Sequence, residues 1–179
     1  MKEALLIIDI QNDYFQGGAN PLECADTAAQ NAGKLIRSFR ERGAPVVHIQ
    51  HVSNRPGSTF FLPGTTGADI HELVKPSEGE RIFEKHTPNC FYSTGLDAYL
   101  KEMGITGLTV CGMMTHMCVD AGVRAAKDLG YSCTLVSDAC ATKDLVFDGV
   151  AVPANFVQRS FMAALNGFYA KVVKTSEIV

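Results

Sequence analysis

Val110-Cys111-Gly112-Met113-Met114-Thr115-His116-Met117-Cys118-Val119-Asp120 is the stretch on which the fold turns. A mostly hydrophobic run, 105–111, ends at a glycine. Thr115 stands where a helix is capped, and Cys118, Gly122, Ala125 and Leu129 continue at helical spacing. The pattern predicts a strand, a tight turn and a helix, with Cys118 in the first helical turn. Free N–H groups and the positive end of the helix dipole at that place favour thiolate over thiol. A catalytic nucleophile and a small buried core residue are both open readings of this cysteine.

Working outward, 4–8 (ALLII) is a short continuous apolar run, the mark of a strand buried on both faces, and it ends at Asp9. A loop closed by Gly17-Gly18 follows. Asn20-Pro21 predicts a helix start, with Asn as cap and Pro in the first position. Leu22, Ala25, Ala28, Ala29, Ala32, Leu35, Ile36 and Phe39 make the apolar stripe of that helix, and Gly43 stops it. A second strand is predicted over 44–50 and a third over 80–84, the latter ending at Lys85. Between them, 53–67 is a Gly/Pro/Ser/Thr-rich loop carrying Phe60-Phe61. Ser93 or Thr94 caps a helix that runs to Met103 and stops at Gly104. A fifth strand over 132–136 leads into Ser137-Asp138-Ala139-Cys140, where Asp138 reads as a loop-ordering or capping residue. A helix with Val157, Phe161, Ala164, Leu165 and Phe168 on one face and a sixth strand over 170–173 complete the set. Strands alternate with helices and no hairpin signal is read, so the expectation is βαβ units, a parallel sheet and one domain over 1–179.

Composition narrows the function. A length of 179 residues suits one full core, and 46% hydrophobic with 20% charged residues is ordinary for a globular protein. A net charge of −3 supplies no basic field for nucleic acid. No apolar run approaches the roughly 18 residues of a membrane helix. Met1-Lys2-Glu3 leads directly into an apolar strand without a signal-peptide pattern. The 6 cysteines contain no C-x-x-C pair. They read as free thiols in a reducing compartment, so the expected location is cytoplasmic.

In an open parallel sheet, ligands bind outside the carboxyl ends of the strands. Asp9 ends the first strand, Lys85 the third, and Cys118 follows the fourth. A cysteine nucleophile needs an acceptor for its proton and a setting that favours negative sulfur. A nearby carboxylate takes the proton, and a lysine beside both keeps the carboxylate ionised. Asp9 alone reads as a loop carboxylate and Lys85 alone as a surface lysine. All three at one sheet edge are a much less probable accident. His86 is a rival base, but it neighbours Lys85, and only one of the two is expected to face the site.

Asp9-Ile10-Gln11-Asn12-Asp13-Tyr14-Phe15, Lys85 after a third strand, and Gly112-Met113-Met114-Thr115-His116-Met117-Cys118-Val119 together resemble the isochorismatase-like cysteine hydrolase superfamily. That group includes nicotinamidases, pyrazinamidases and carbamoyl-amide hydrolases. The D-x-Q-x-D-[FY] opening and the G-x-x-T-x-x-C-V motif carry the resemblance, which covers nearly the whole chain in order. It implies a Rossmann-like three-layer αβα sandwich with a six-stranded parallel sheet. It implies a catalytic triad of Asp9, Lys85 and Cys118. It also implies an oxyanion hole from the Met114 and Cys118 N–H groups, and a cis peptide between Met113 and Met114. The implied reaction is acyl transfer to sulfur, with hydrolysis of an amide or carbamoyl-type C–N bond through a thioester. Relatives that cleave the vinyl ether of isochorismate commonly lack the cysteine, so Cys118 argues against that branch. Isochorismate-type ether hydrolysis and a non-catalytic thiol sensor remain as alternatives.

The chain departs from the nicotinamidase pattern after the second strand. Val47-His48-Ile49-Gln50-His51-Val52-Ser53-Asn54 lacks the aspartate of the metal-holding D-x-H, so no metal and no cofactor are expected. His48 reads as a satisfied strand histidine and His51 as a pocket donor. No G-x-G-x-x-G or phosphate loop is present. Phe15, His51, Phe60 and Tyr92 are the expected walls of a pocket for a small-molecule substrate. The resemblance implies a homo-oligomer, a dimer or larger.

Overall fold

The computed structural model describes residues 2–179. In chain order the elements are β1 (Glu3–Ile8), α1 (Ala25–Glu41), β2 (Val46–His51), β3 (Arg81–Lys85), α2 (Leu96–Glu102), β4 (Gly107–Met113), α3 (Asp120–Asp128), β5 (Ser132–Ala141), β6 (Leu145–Phe147), β7 (Val150–Val152), α4 (Ala154–Leu165) and β8 (Lys171–Val173). Six strands form one sheet in the order β3-β2-β1-β4-β5-β8, every neighbouring pair parallel. The chain builds outward from β1 to β3, returns to the middle, and builds the other way from β4 to β8. The winding therefore reverses between β1 and β4, and a crevice opens there at the carboxyl ends of the strands.

The sheet is covered on both faces, which is why its central strands are apolar throughout. In β1, Leu6 and Ile8 join one core with Leu96 and Leu100 of α2, Val123 and Ala126 of α3, and Leu165 of α4. Leu5 and Ile7 face the other core, against Ala28, Ala32, Leu35, Ile36 and Phe39 of α1. Each fully buried aliphatic side chain contributes about 1.5–3 kcal/mol. Among the described residues, no helix is long and apolar enough to cross a membrane.

Four expectations need correction. The first helix begins at Ala25, not at Asn20-Pro21. The Glu23 N–H donates to the Thr142 carbonyl and the Asn20 side chain accepts from Lys143, so 20–23 lie pinned beside the end of β5 and cannot coil. β5 runs on through Ser137–Cys140, and its register against β4 shifts between Val110 and Gly112. α4 stops at Leu165, which leaves Phe168 71% exposed and outside its buried face. The fourth is a hairpin, β6–β7, that the reading passed over. Its turn is Asp148-Gly149, with φ of 51° and 75°. Positive φ at both central residues is the demand of a type I′ turn, and Asp-Gly between two apolar triplets is the sequence signal for it.

Glu80 fastens α1 to the edge of the sheet. It accepts from Arg40 Nε (2.8 Å) and Nη2 (2.9 Å), from the Ser77 N–H (2.9 Å), and lies 2.9 Å from His48 Nε2. Burial alone would raise its carboxyl. The Arg40, Ser77 and His48 contacts outweigh burial and hold it at about 2. A carboxyl depressed below the unfolded value of about 4.3 stabilises the fold above that value. Glu80→Gln is therefore expected to lower stability at pH 7 by about 2–3 kcal/mol in urea titrations. The gap between the two proteins should close as pH falls from about 4.3 towards about 2.

Candidate active site

Three strand ends bring the site together. Asp9 follows β1, with its N–H on the Ile49 carbonyl (3.1 Å) and φ of 50°. Such a left-handed turn costs a non-glycine residue about 1 kcal/mol and aims the carboxylate inward. Lys85 is the last residue of β3 and pairs in register with His51 of β2. Gly112 and Met113 end β4, and the Met113–Met114 peptide is cis. A Cβ on Gly112, whose φ is 142°, would run into the Ile8 carbonyl, so only glycine lets β4 pass this close to β1.

Cys118 does not open an α-helix. It lies in a π-helical turn, Thr115–Val119, in which the Val119 N–H reaches back five residues to the Met114 carbonyl (3.2 Å). Such turns are frequent at functional sites. α3 starts only at Asp120. Thr115 is not a cap either. Its hydroxyl bonds the Ala141 carbonyl (3.2 Å) and Gln158 Oε1 (2.7 Å), tying the turn to β5 and α4.

The Lys85 ammonium sits at the centre. It is 2.7 Å from Asp9 Oδ2 and donates to the Thr87 carbonyl (3.0 Å), His51 Nδ1 (3.0 Å) and Cys118 Sγ (3.2 Å). Asp9 and Lys85 are fully buried. Among the described residues Asp9 Oδ1 has no hydrogen-bond partner, and Oδ2 meets Lys85 as a close ion pair rather than in hydrogen-bond geometry. Burial raises the Asp9 carboxyl, against the opposing charge of Lys85. Burial would lower Lys85, but Asp9 and Cys118 outweigh it and raise the ammonium. Burial, and then the Asp9 charge, push the Cys118 thiol up, with Lys85 opposing. Burial and the Asp9 charge thus oppose a thiolate at Cys118, while Lys85 favours negative charge on either neighbour. The thiolate that a helix dipole favours is opposed here by burial and by Asp9. The Asp9 carboxyl, its basicity raised by burial, stands within 4.8 Å of the Cys118 thiol.

Asp9, His51 and Cys118 each offer a metal-ligand atom, all within 4.8 Å of one another. Lys85 Nζ touches all three, so the chain's own cation fills the space an ion would take.

The D-x-Q-x-D motif builds the surrounding wall, which is its unrecognised work. Gln11 is fully buried. Its Oε1 accepts from the His51 N–H (2.8 Å), and its Nε2 donates to the carbonyls of His51 (2.9 Å) and Ala68 (2.7 Å). Asp13 accepts from the N–H groups of Ala19 (3.1 Å) and Phe61 (2.6 Å), and leaves no room for a side chain at Gly67. The loop over 58–68 is thus tied to the segment that follows β1, and Tyr14, Phe60, Phe61 and His51 gather into one aromatic cluster, with Tyr14 and Phe61 centroids 4.6 Å apart. Burial, then the Cys118, Asp9 and Asp13 charges, raise the Tyr14 hydroxyl well above its usual value. The sequence pattern points to Phe15 as the wall, whereas the structure places its neighbour Tyr14 in the cluster.

Other candidates lie as follows. Phe15 is buried and stacks on His71 with centroids 3.7 Å apart. Tyr92 is 64% exposed. His86 turns outward to the Val52 carbonyl (2.7 Å), and His116 bonds Thr142 (2.6 Å). His48 is buried on Glu80, and Asp138 accepts from the Thr175 N–H and hydroxyl (2.8 Å each). A separate cavity of about 370 Å³, lined in part by Glu23, Cys24, Arg159 and Lys174, shares no residue with the Asp9–Lys85–Cys118 cluster.

Fold and cluster together define a class, an open parallel α/β sheet that gathers a buried aspartate, lysine and cysteine at the carboxyl ends of its strands. The isochorismatase domain model matches residues 3–165, and the chain belongs to that family. It is similar to an uncharacterised isochorismatase family protein of Bacillus subtilis, YddQ, with 52% identity over 99% of this chain and 98% of the relative. It is 38% identical over 80% of its length to a streptothricin hydrolase of Streptomyces noursei, of which it spans 51%. A crystal structure from Oleispira antarctica, described as an isochorismatase hydrolase, superposes with a TM-score of 0.95 at 47% identity, covering 98% of this chain and 95% of that one. The protein is an isochorismatase-family hydrolase.

Proposed function

We propose that the protein cleaves a C–N bond, amide or carbamoyl in type, in a small molecule, through a thioester on Cys118. The observation that carries the reading is the Lys85 ammonium lying 2.7 Å from a buried carboxylate and 3.2 Å from a buried thiol. Asp9 takes the thiol proton, and sulfur attacks the carbonyl carbon. The Met114 and Cys118 N–H groups hold the oxyanion; removing one such donor typically costs about 10²–10³ in rate. Asp9 returns the proton to the departing nitrogen as the C–N bond breaks. Water, deprotonated by Asp9, then splits the thioester and frees the thiol. Lys85 balances whichever of the two groups carries the negative charge. Vinyl-ether hydrolysis needs no nucleophilic sulfur and leaves this thiol without a task.

The aromatic cluster of Tyr14, Phe60 and Phe61 supports a small, partly planar substrate. The 6 free cysteines support a cytoplasmic location. The hairpin Leu145–Val152 leaves Val146, Phe147 and Val150 72%, 81% and 66% exposed, which supports a homo-oligomer. The test is a screen of small amides, ureas and carbamoyl compounds with ammonia or amine release as the readout. Turnover that depends on Cys118 is the expected result. Turnover without nitrogen release would overturn the reading.

A further inference from the structure

We propose that His51 is a positioning residue: its Nδ1 and the Thr87 carbonyl form a two-point mount for the Lys85 ammonium, so that the third ammonium proton follows the negative charge between Asp9 and Cys118. This rests on the acyl-transfer reading above and gives a role to a residue that, in sequence, was only a pocket donor.

An ammonium carries three protons and this one has four partners: the Thr87 carbonyl, His51 Nδ1 and Cys118 Sγ at 3.0, 3.0 and 3.2 Å, and the Asp9 carboxyl in an ion pair at 2.7 Å. Two of them, Asp9 and Cys118, exchange charge during the reaction. Asp9 is negative while sulfur is a thiol, and neutral once sulfur is a thiolate. The other two, the Thr87 carbonyl and the His51 imidazole, carry no charge in either state. A mount made of neutral acceptors holds the nitrogen without favouring either end of the proton transfer. Since the ammonium can only donate, His51 Nδ1 accepts, and the neutral ring carries its proton on Nε2.

The ring is built to stay neutral and still. Asp9, Lys85 and Cys118 surround it, His86 is the further titratable neighbour, and Phe61 packs against it with centroids 5.9 Å apart. Burial, then Lys85 and His86, lower its basicity to about 4. Its backbone is held on both sides by the buried Gln11 amide, at 2.8 and 2.9 Å, so the D-x-Q motif fixes the mount as well as the carboxylate. Without the His51 acceptor, a second ammonium proton turns to Asp9. The carboxylate is then held in its charged form and becomes a poorer base for the thiol.

Three variants separate this role from a pocket contact. His51→Asn sets an amide oxygen near the place of Nδ1, His51→Gln sets it one carbon too far, and His51→Leu removes it. The readouts are kcat and KM, and the iodoacetamide alkylation rate of Cys118 between pH 6 and 9, followed by peptide mass mapping because Cys24 is exposed. Leu and Gln are expected to slow both alkylation and kcat about tenfold with KM little changed, the effect of one hydrogen bond lost. Asn is expected to stay within about threefold of the wild type. If Leu does not fold, Gln carries the comparison. Equal rates in all variants, or an Asn variant as slow as Gln, would overturn the mount. A rise in KM alone would make His51 a substrate contact instead. Alkylation answers without any substrate, so a failed mount is distinguishable from a failed hydrolase assignment.

Discussion

Cys118→Ala is expected to lower kcat by roughly 10⁴–10⁶-fold, the usual consequence of deleting the nucleophile of a covalent mechanism. The protein should fold as before. The side chain is small, 5% exposed, and offers Lys85 the longest of its four contacts, at 3.2 Å. Asp9, Thr87 and His51 still hold the ammonium. Urea midpoints are therefore expected within about 1 kcal/mol of the wild type. Cys118→Ser is the sharper variant. It keeps an oxygen in place of sulfur, but a hydroxyl is far harder to ionise than a thiol already pushed up by burial and by Asp9. It is expected to be nearly as inactive as alanine. Ammonia release and mass-spectrometric trapping of an acyl adduct on Cys118 are the measurements. More than a tenth of wild-type activity in either variant would end the covalent reading.

Much of this was legible because local chemistry and fold agreed. The apolar run 4–8 could only be a strand buried on two faces, and it placed Asp9 at a strand end. Lys85 and the Gly112–Cys118 stretch were placed by the same argument. The errors share a physical origin, in that tertiary contacts overrode short-range signals. Asn20-Pro21 looks like a helix start until Glu23 is drawn to Thr142. Thr115 looks like a cap until its hydroxyl is claimed by Ala141 and Gln158 from other elements. The charge state of Cys118 was equally out of reach. A dipole argument sees only the turn, whereas the thiol is governed by burial and by a carboxylate more than a hundred residues earlier in the chain. The hairpin is different. Asp148-Gly149 is a local turn signal between two apolar triplets, and strand–helix alternation, which describes the other elements, hides a hairpin that adds no strand to the main sheet.

Asp9→Asn is expected to damage both activity and stability, in separable ways. Loss of the proton acceptor should lower kcat by roughly 10³–10⁴-fold. Loss of the countercharge leaves the Lys85 ammonium buried and unpaired, a change that typically costs about 3–5 kcal/mol. The pH dependence gives the sign. In the wild type, burial is outweighed by Asp9 and Cys118, so Lys85 is raised above its unfolded value of about 10.4. That stabilisation is complete below about 10.4 and is lost as pH rises through the folded value. In Asp9→Asn the largest raising influence is gone and burial lowers the lysine below about 10.4. The unfolded chain then binds the extra proton, and stability should increase as pH rises from 8 to about 10. Over that window the wild type's own Lys85 contribution is flat, its loss starting only above about 10.4, so urea titrations should show a rising variant against a level wild type. The double variant Asp9→Asn with Lys85→Met removes the orphaned charge, so it should recover most of the lost stability while remaining inactive. A double variant no more stable than Asp9→Asn would mean that Asp9 holds the fold through contacts other than its ion pair with Lys85. The buried carboxylate would then be architecture first and proton acceptor second.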